Sequence, residues 1–61
     1  MGNLSQKELT ALEEQLGFEQ VLVRKFNTLA DSCTDTALKN KLHTIAGEHQ
    51  RHYNRLLGYL N

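Results

Sequence analysis

The chain has 61 residues, seven cations against seven anions, a single cysteine and no proline. Chains below roughly 70–80 residues seldom build a sufficient core unless disulfides, a metal or oligomerisation add to it; Cys33 alone cannot form an internal disulfide, so metal, partner chains or both remain. A net charge of zero recruits neither nucleic acid nor an anionic membrane, and the longest unbroken apolar run, Val21-Leu22-Val23, excludes a membrane span and a signal-peptide core.

Met1-Gly2 opens a myristoylation pattern, but Gln6 stands where that pattern wants Ser or Thr. The expectation is a soluble intracellular protein whose thiol stays reduced. Ser5-Gln6-Lys7-Glu8 then fits a capping box, in which Ser5 caps a backbone N–H and Glu8 returns the bond. Helix formers and a 3.6-residue apolar period follow, predicting a first helix over about 6–33. Leu9, Leu12, Leu16, Val23, Phe26 and Ala30 form its stripe, and Glu19 fills the slot between Leu16 and Val23. Gly17 costs ~1 kcal/mol relative to Ala in a helix interior, and close helix–helix approach would be one reason for it.

Ser32-Cys33-Thr34-Asp35-Thr36 concentrates side chains that compete with helical hydrogen bonds. The turn falls at about 34–35, with Thr34 or Asp35 as N-cap of a second helix over about 36–59. Its stripe is Leu38, Leu42, Ile45, Leu56 and Leu60, with His49 and His52 in the gap. So short a turn forces the helices antiparallel. The fold class is all-α, a single two-helix hairpin.

With the turn at Thr34, facing residues have numbers adding to about 68. Ala30 then faces Leu38, Phe26 faces Leu42, Val23 faces Ile45, Glu19 faces His49, Leu16 faces His52 and Leu12 faces Leu56. The three polar exceptions therefore meet within about one helical turn. The same register sets Glu13 and Glu14 of a net-negative first helix near Arg51 and Arg55 of a net-positive second one.

Two helices cannot cover an apolar stripe from both sides, and Phe18, Leu22, Leu29, Ala46, Tyr53 and Leu57 widen it beyond a two-stranded seam. The expectation is a homodimer of hairpins forming a four-helix bundle, a larger assembly being the alternative. Leu9, Leu12, Leu16, Val23, Phe26, Leu42, Ile45 and Leu56 are its expected core.

His49-x-x-His52 places two imidazoles on one helical face, and Glu19 adds an oxygen donor from the other helix, a ligand set suited to zinc or non-haem iron. Glu48 and Gln15 are candidate supporting groups, Glu48 also a further ligand. The other reading is a buried Glu19–His49 ion pair that fixes register, with His52 reaching Gln15, Tyr53 or solvent. Both stay open at this point. His43 reads as a surface residue, Gln20, Arg24 and Lys25 as a solvated face, and Cys33 as a small packing residue.

The order LSQKELTALEEQLGFEQVLVRKF, a short Cys-Thr-Asp turn, then IAGEHQRHYNRLLGYL resembles the small spore-coat-associated proteins of Gram-positive spore formers. These helical hairpins are similar to spore coat protein F and related to the ferritin-like superfamily. The likeness implies a spore-coat location, other coat proteins as partners and, in the wider superfamily, a di-iron site built from a helical Glu and a Glu-x-x-His motif. By position Glu19 matches the first and His52 the motif histidine, while His49 stands where the motif carboxylate belongs. That departure removes the bridging group of a di-iron centre. The expected function is structural and self-associating, with no catalytic residues. The alternative is iron or zinc binding by the Glu/His cluster, and no cofactor is required by the first reading.

Overall fold

The computed structural model describes residues 3–60; Met1-Gly2, with its incomplete lipidation pattern, lies outside them. Two helices, α1 (Gln6–Asp31) and α2 (Thr36–Leu57), run antiparallel, and a 3-10 turn over Gly58–Leu60 follows α2. The capping box forms as the sequence predicts: Ser5 Oγ accepts from the Glu8 N–H at 3.1 Å and Glu8 Oε1 accepts from the Ser5 N–H at 2.9 Å. Asp35, not Thr34, caps α2, its Oδ1 accepting from the Leu38 N–H at 2.7 Å.

Helix α1 ends at Asp31, two residues short of the expected 33. The Ser32 hydroxyl donates to the Leu29 carbonyl at 3.0 Å and the Cys33 N–H turns back to the Ala30 carbonyl at 3.0 Å, tightening the last turn. Similarly α2 ends at Leu57, and the expected end at 59 falls inside the 3-10 turn.

The seam is narrow. Leu16, Ala30, Leu42 and Ala46 are buried, while Leu9, Leu12, Val23, Phe26, Ile45 and Leu56 are only half-buried within one hairpin. Two expectations for α2 fail: Leu38 and Leu60 are 48% and 44% exposed, whereas Ala46, placed off the seam by the sequence, is 2% exposed. For Leu38 and Ala46 the reason is rotational, whereas Leu60 lies beyond α2 in the 3-10 turn. Helix α2 turns the Leu42–Ala46–Tyr53 line toward α1, which swings Leu38, Ile45, His52 and Leu56 to one side. Gly17 serves no close approach, since a Cβ there would meet nothing within 4 Å.

The hairpin is a flat rod, 46 × 14 × 10 Å over its Cα atoms. Its two broad sides differ. One carries polar ties between the helices: His43 Nδ1 lies 2.8 Å from Asn27 Oδ1 and its Nε2 3.5 Å from Asp31, while the Gln20 amide reaches the Tyr53 hydroxyl at 3.5 Å. Among the described residues the ion pairs are made by histidines with Asp31 and Glu19, so the expected pairing of Glu13 and Glu14 with Arg51 and Arg55 does not form. By helical position the other side carries Phe18, Leu22 and Leu29 of α1 and Leu38, Ile45 and Leu56 of α2. Among the described residues no helix is long and apolar enough to cross a membrane.

Candidate functional site

Glu19 is the buried polar residue of the core, 6% exposed. The heptad-like spacing of Leu9, Leu12, Leu16, Val23, Phe26 and Ala30 carries it into the seam whatever its chemistry. A carboxylate taken out of water needs donors, and it has them. His49 Nδ1 lies 2.7 Å from Glu19 Oε1, and the Gln15 amide donates to Oε2 at 3.1 Å. Because an ionised carboxylate only accepts, His49 donates through Nδ1 and its Nε2 faces away. His52 Nδ1 stands 3.7 Å from the same Oε1.

The rings are ordered by packing. Phe26 stacks on His49 with centroids 5.8 Å apart and planes within 5°. His52 meets His49 edge-on, at 5.6 Å and 90°. Side-chain exposure rises across the group, from 8% for Glu19 to 22% for His49 and 48% for His52. The cluster is thus closed at Glu19 and open at His52, on the apolar side of the rod.

The His49 hydrogen bond holds the Glu19 carboxyl below its ordinary value, against the upward push of burial, with Gln15 and the charges of the two imidazoles adding to the lowering. Among the described residues no buried side-chain polar atom lacks a partner. Glu19 is therefore satisfied by protein groups alone.

One ligand atom each from Glu19, His49 and His52 lies within 4.8 Å of the others, so the cluster could hold a metal ion. Donors around a tetrahedral zinc with bonds of about 2.0–2.1 Å are about 3.3 Å apart, so the 2.7 Å His49–Glu19 contact would have to open. A di-iron centre fits poorly, because the cluster offers one carboxylate, Glu19, beside its two imidazoles, too few to bridge and charge-balance two irons.

Of the sequence-predicted site residues, Glu19, His49 and His52 come together, and His52 sits against Glu19 and His49 where the register had faced it with Leu16. Gln15 supports the cluster through Glu19 and not through His52. Glu48 does not support it: its side chain is exposed and, among the described residues, shares no hydrogen bond or ion pair with the three. Sequence reasoning gave Phe26 only a core role and missed its stacking on His49, though its position one heptad after Glu19 signals a shared face. It also missed the Asn27–His43–Asp31 tie, whose trace is the i, i+4 spacing of Asn27 and Asp31. A shallow groove lined by Val21, Arg24, Lys25, Thr28, Leu29 and Ser32 runs along α1 alone and away from the cluster.

No protein family, curated protein or solved structure was found to match this chain.

Proposed function

We propose that the chain is a non-catalytic structural protein that acts by self-association, with the Glu19–His49–His52 group as a polar lock on helix register. The observation that carries this reading is the unpaired apolar side of the rod, where Phe18, Leu29 and Leu38 are 61%, 49% and 48% exposed. Scattered apolar residues on a surface mean little, but a continuous patch on so small a domain marks a contact surface. The sequence resemblance to small spore-coat-associated proteins supports a coat role, with other coat proteins as further partners. Sedimentation equilibrium tests the reading: a discrete oligomer is expected at micromolar concentration, and a folded monomer up to millimolar concentration overturns it.

A second reading has one specific observation in its favour, the convergence of two imidazoles and a carboxylate within ligand range. In it the chain binds one iron or zinc ion in the ferritin-like manner, through nitrogen-rich ligands. Metal content per chain after loading untagged protein with iron or zinc decides it. Stoichiometric metal that is lost in His49→Ala and Glu19→Ala supports the second reading, and metal-free protein leaves the lock.

A further inference from the structure

We infer that the apolar side of the hairpin docks a second copy of this chain, and that docking sets the two Glu19–His49–His52 clusters in one shared layer. This rests on the self-association reading and adds to it the face and the register. The face is fixed by helical geometry. Counting 100° per residue, Phe18, Leu22 and Leu29 of α1 fall on the flank opposite Gln20, Asn27 and Asp31, whose polar ties mark the other side. On α2, Leu38, Ile45 and Leu56 fall on the flank opposite His43. The two apolar flanks therefore adjoin, and His52 interrupts the α2 flank between Ile45 and Leu56.

Area and charge select the occupant. A compact protein of 7.0 kDa exposes roughly 4,000 Å², whereas this chain exposes 4667 Å². Its broad side measures 46 × 14 Å between Cα atoms, roughly 640 Å² before side chains are added. A stable interface covers about 800 Å² on each partner, so one copy laid along the full rod supplies what is needed. The chain has seven charges of each sign, so two copies meet without net repulsion. The groups that interrupt the patch, His52 and the edge of His49, find their own kind across a two-fold axis. An isologous contact of this sort closes on itself.

The register follows from where the cluster lies. Helix α1 runs Gln6–Asp31, so its midpoint falls between Phe18 and Glu19. A two-fold dimer that overlaps the rods fully has its axis either along the rod or across its middle. Both arrangements bring mid-length onto mid-length. The dimer then contains one polar layer of two carboxylates and four imidazoles between apolar layers, an arrangement that penalises sliding because any shift sets His52 against leucine.

Three measurements test this. Leu29→Glu and Leu38→Glu, on the face but exposed in the hairpin, are expected to weaken self-association at least tenfold while helical circular dichroism is retained; Gln50→Glu, exposed one heptad after His43 on the polar side, leaves it unchanged. Spin labels at Glu48→Cys in a Cys33→Ser background sit beside the cluster at the rim. With helices about 8–10 Å apart, they are expected within about 35 Å of each other in either orientation. Self-association that survives both face variants, or labels well beyond that distance, overturns the inference while the structural reading stands. A wild-type monomer overturns both.

Discussion

Glu19 and His49, thirty residues apart in the chain, share a 2.7 Å hydrogen bond at the middle of the hairpin, and that bond pins α2 against α1. Charge-assisted bonds of this length are stronger than neutral ones. Their worth shows chiefly when one partner is removed and the other is left buried and unpaired.

Single changes at the pair should therefore be harsher than the double change. Glu19→Leu and His49→Leu are each expected to lower the melting temperature by several degrees. Combined, they should restore it to the wild-type value or above, because an apolar seam replaces the lock. Thermal unfolding of the three variants at one protein concentration measures this, and a double variant less stable than either single one contradicts the lock.

Acid should weaken the fold in a defined window. The Glu19 carboxyl lies below its ordinary 4.5 because of His49, and the Glu8 carboxyl lies below the same value because the Ser5 backbone and hydroxyl donate to it. Each titrates lower in the folded chain than in the unfolded one, so its contribution is whole above about pH 4.5 and is lost as pH falls through the folded value. Melting temperature against pH is expected to drop below about 4.5, and Glu19→Gln should flatten that limb. A limb unchanged in Glu19→Gln means that Glu19 is not its source.

Gly17 is an opportunity for stabilisation. It lies inside α1, and an added methyl would meet no atom within 4 Å. Gly17→Ala should raise stability by about 0.5–1 kcal/mol through helix propensity, read as a higher midpoint in urea with an unchanged slope. A lower midpoint would show that a partner approaches this position.

The seam itself can be probed at Leu16, which is 8% exposed between the helices. Leu16→Ala is expected to cost about 3 kcal/mol, a large share of what so small a chain can hold. Leu57→Ala, at a side chain 38% exposed, should cost less than half as much. Equal losses at the two sites would contradict the seam described here.

Much of the architecture is legible in the linear pattern. The Ser5–Glu8 box, the polar break before Thr36 and the spacing of Leu9 through Ala30 determine two antiparallel helices, because capping and helical periodicity are local properties of neighbouring residues. The meeting of Glu19 with His49 is also legible, since a short turn leaves a hairpin almost no freedom of register. What the sequence leaves undecided is rotation about each helix axis. Only the tertiary structure turns Ala46 into the seam and Leu38 out of it, excludes Glu48 from the cluster and stacks Phe26 on His49. Apolar residues at neighbouring angles satisfy the same periodicity equally well, and the choice between them falls to the packing of one helix against the other.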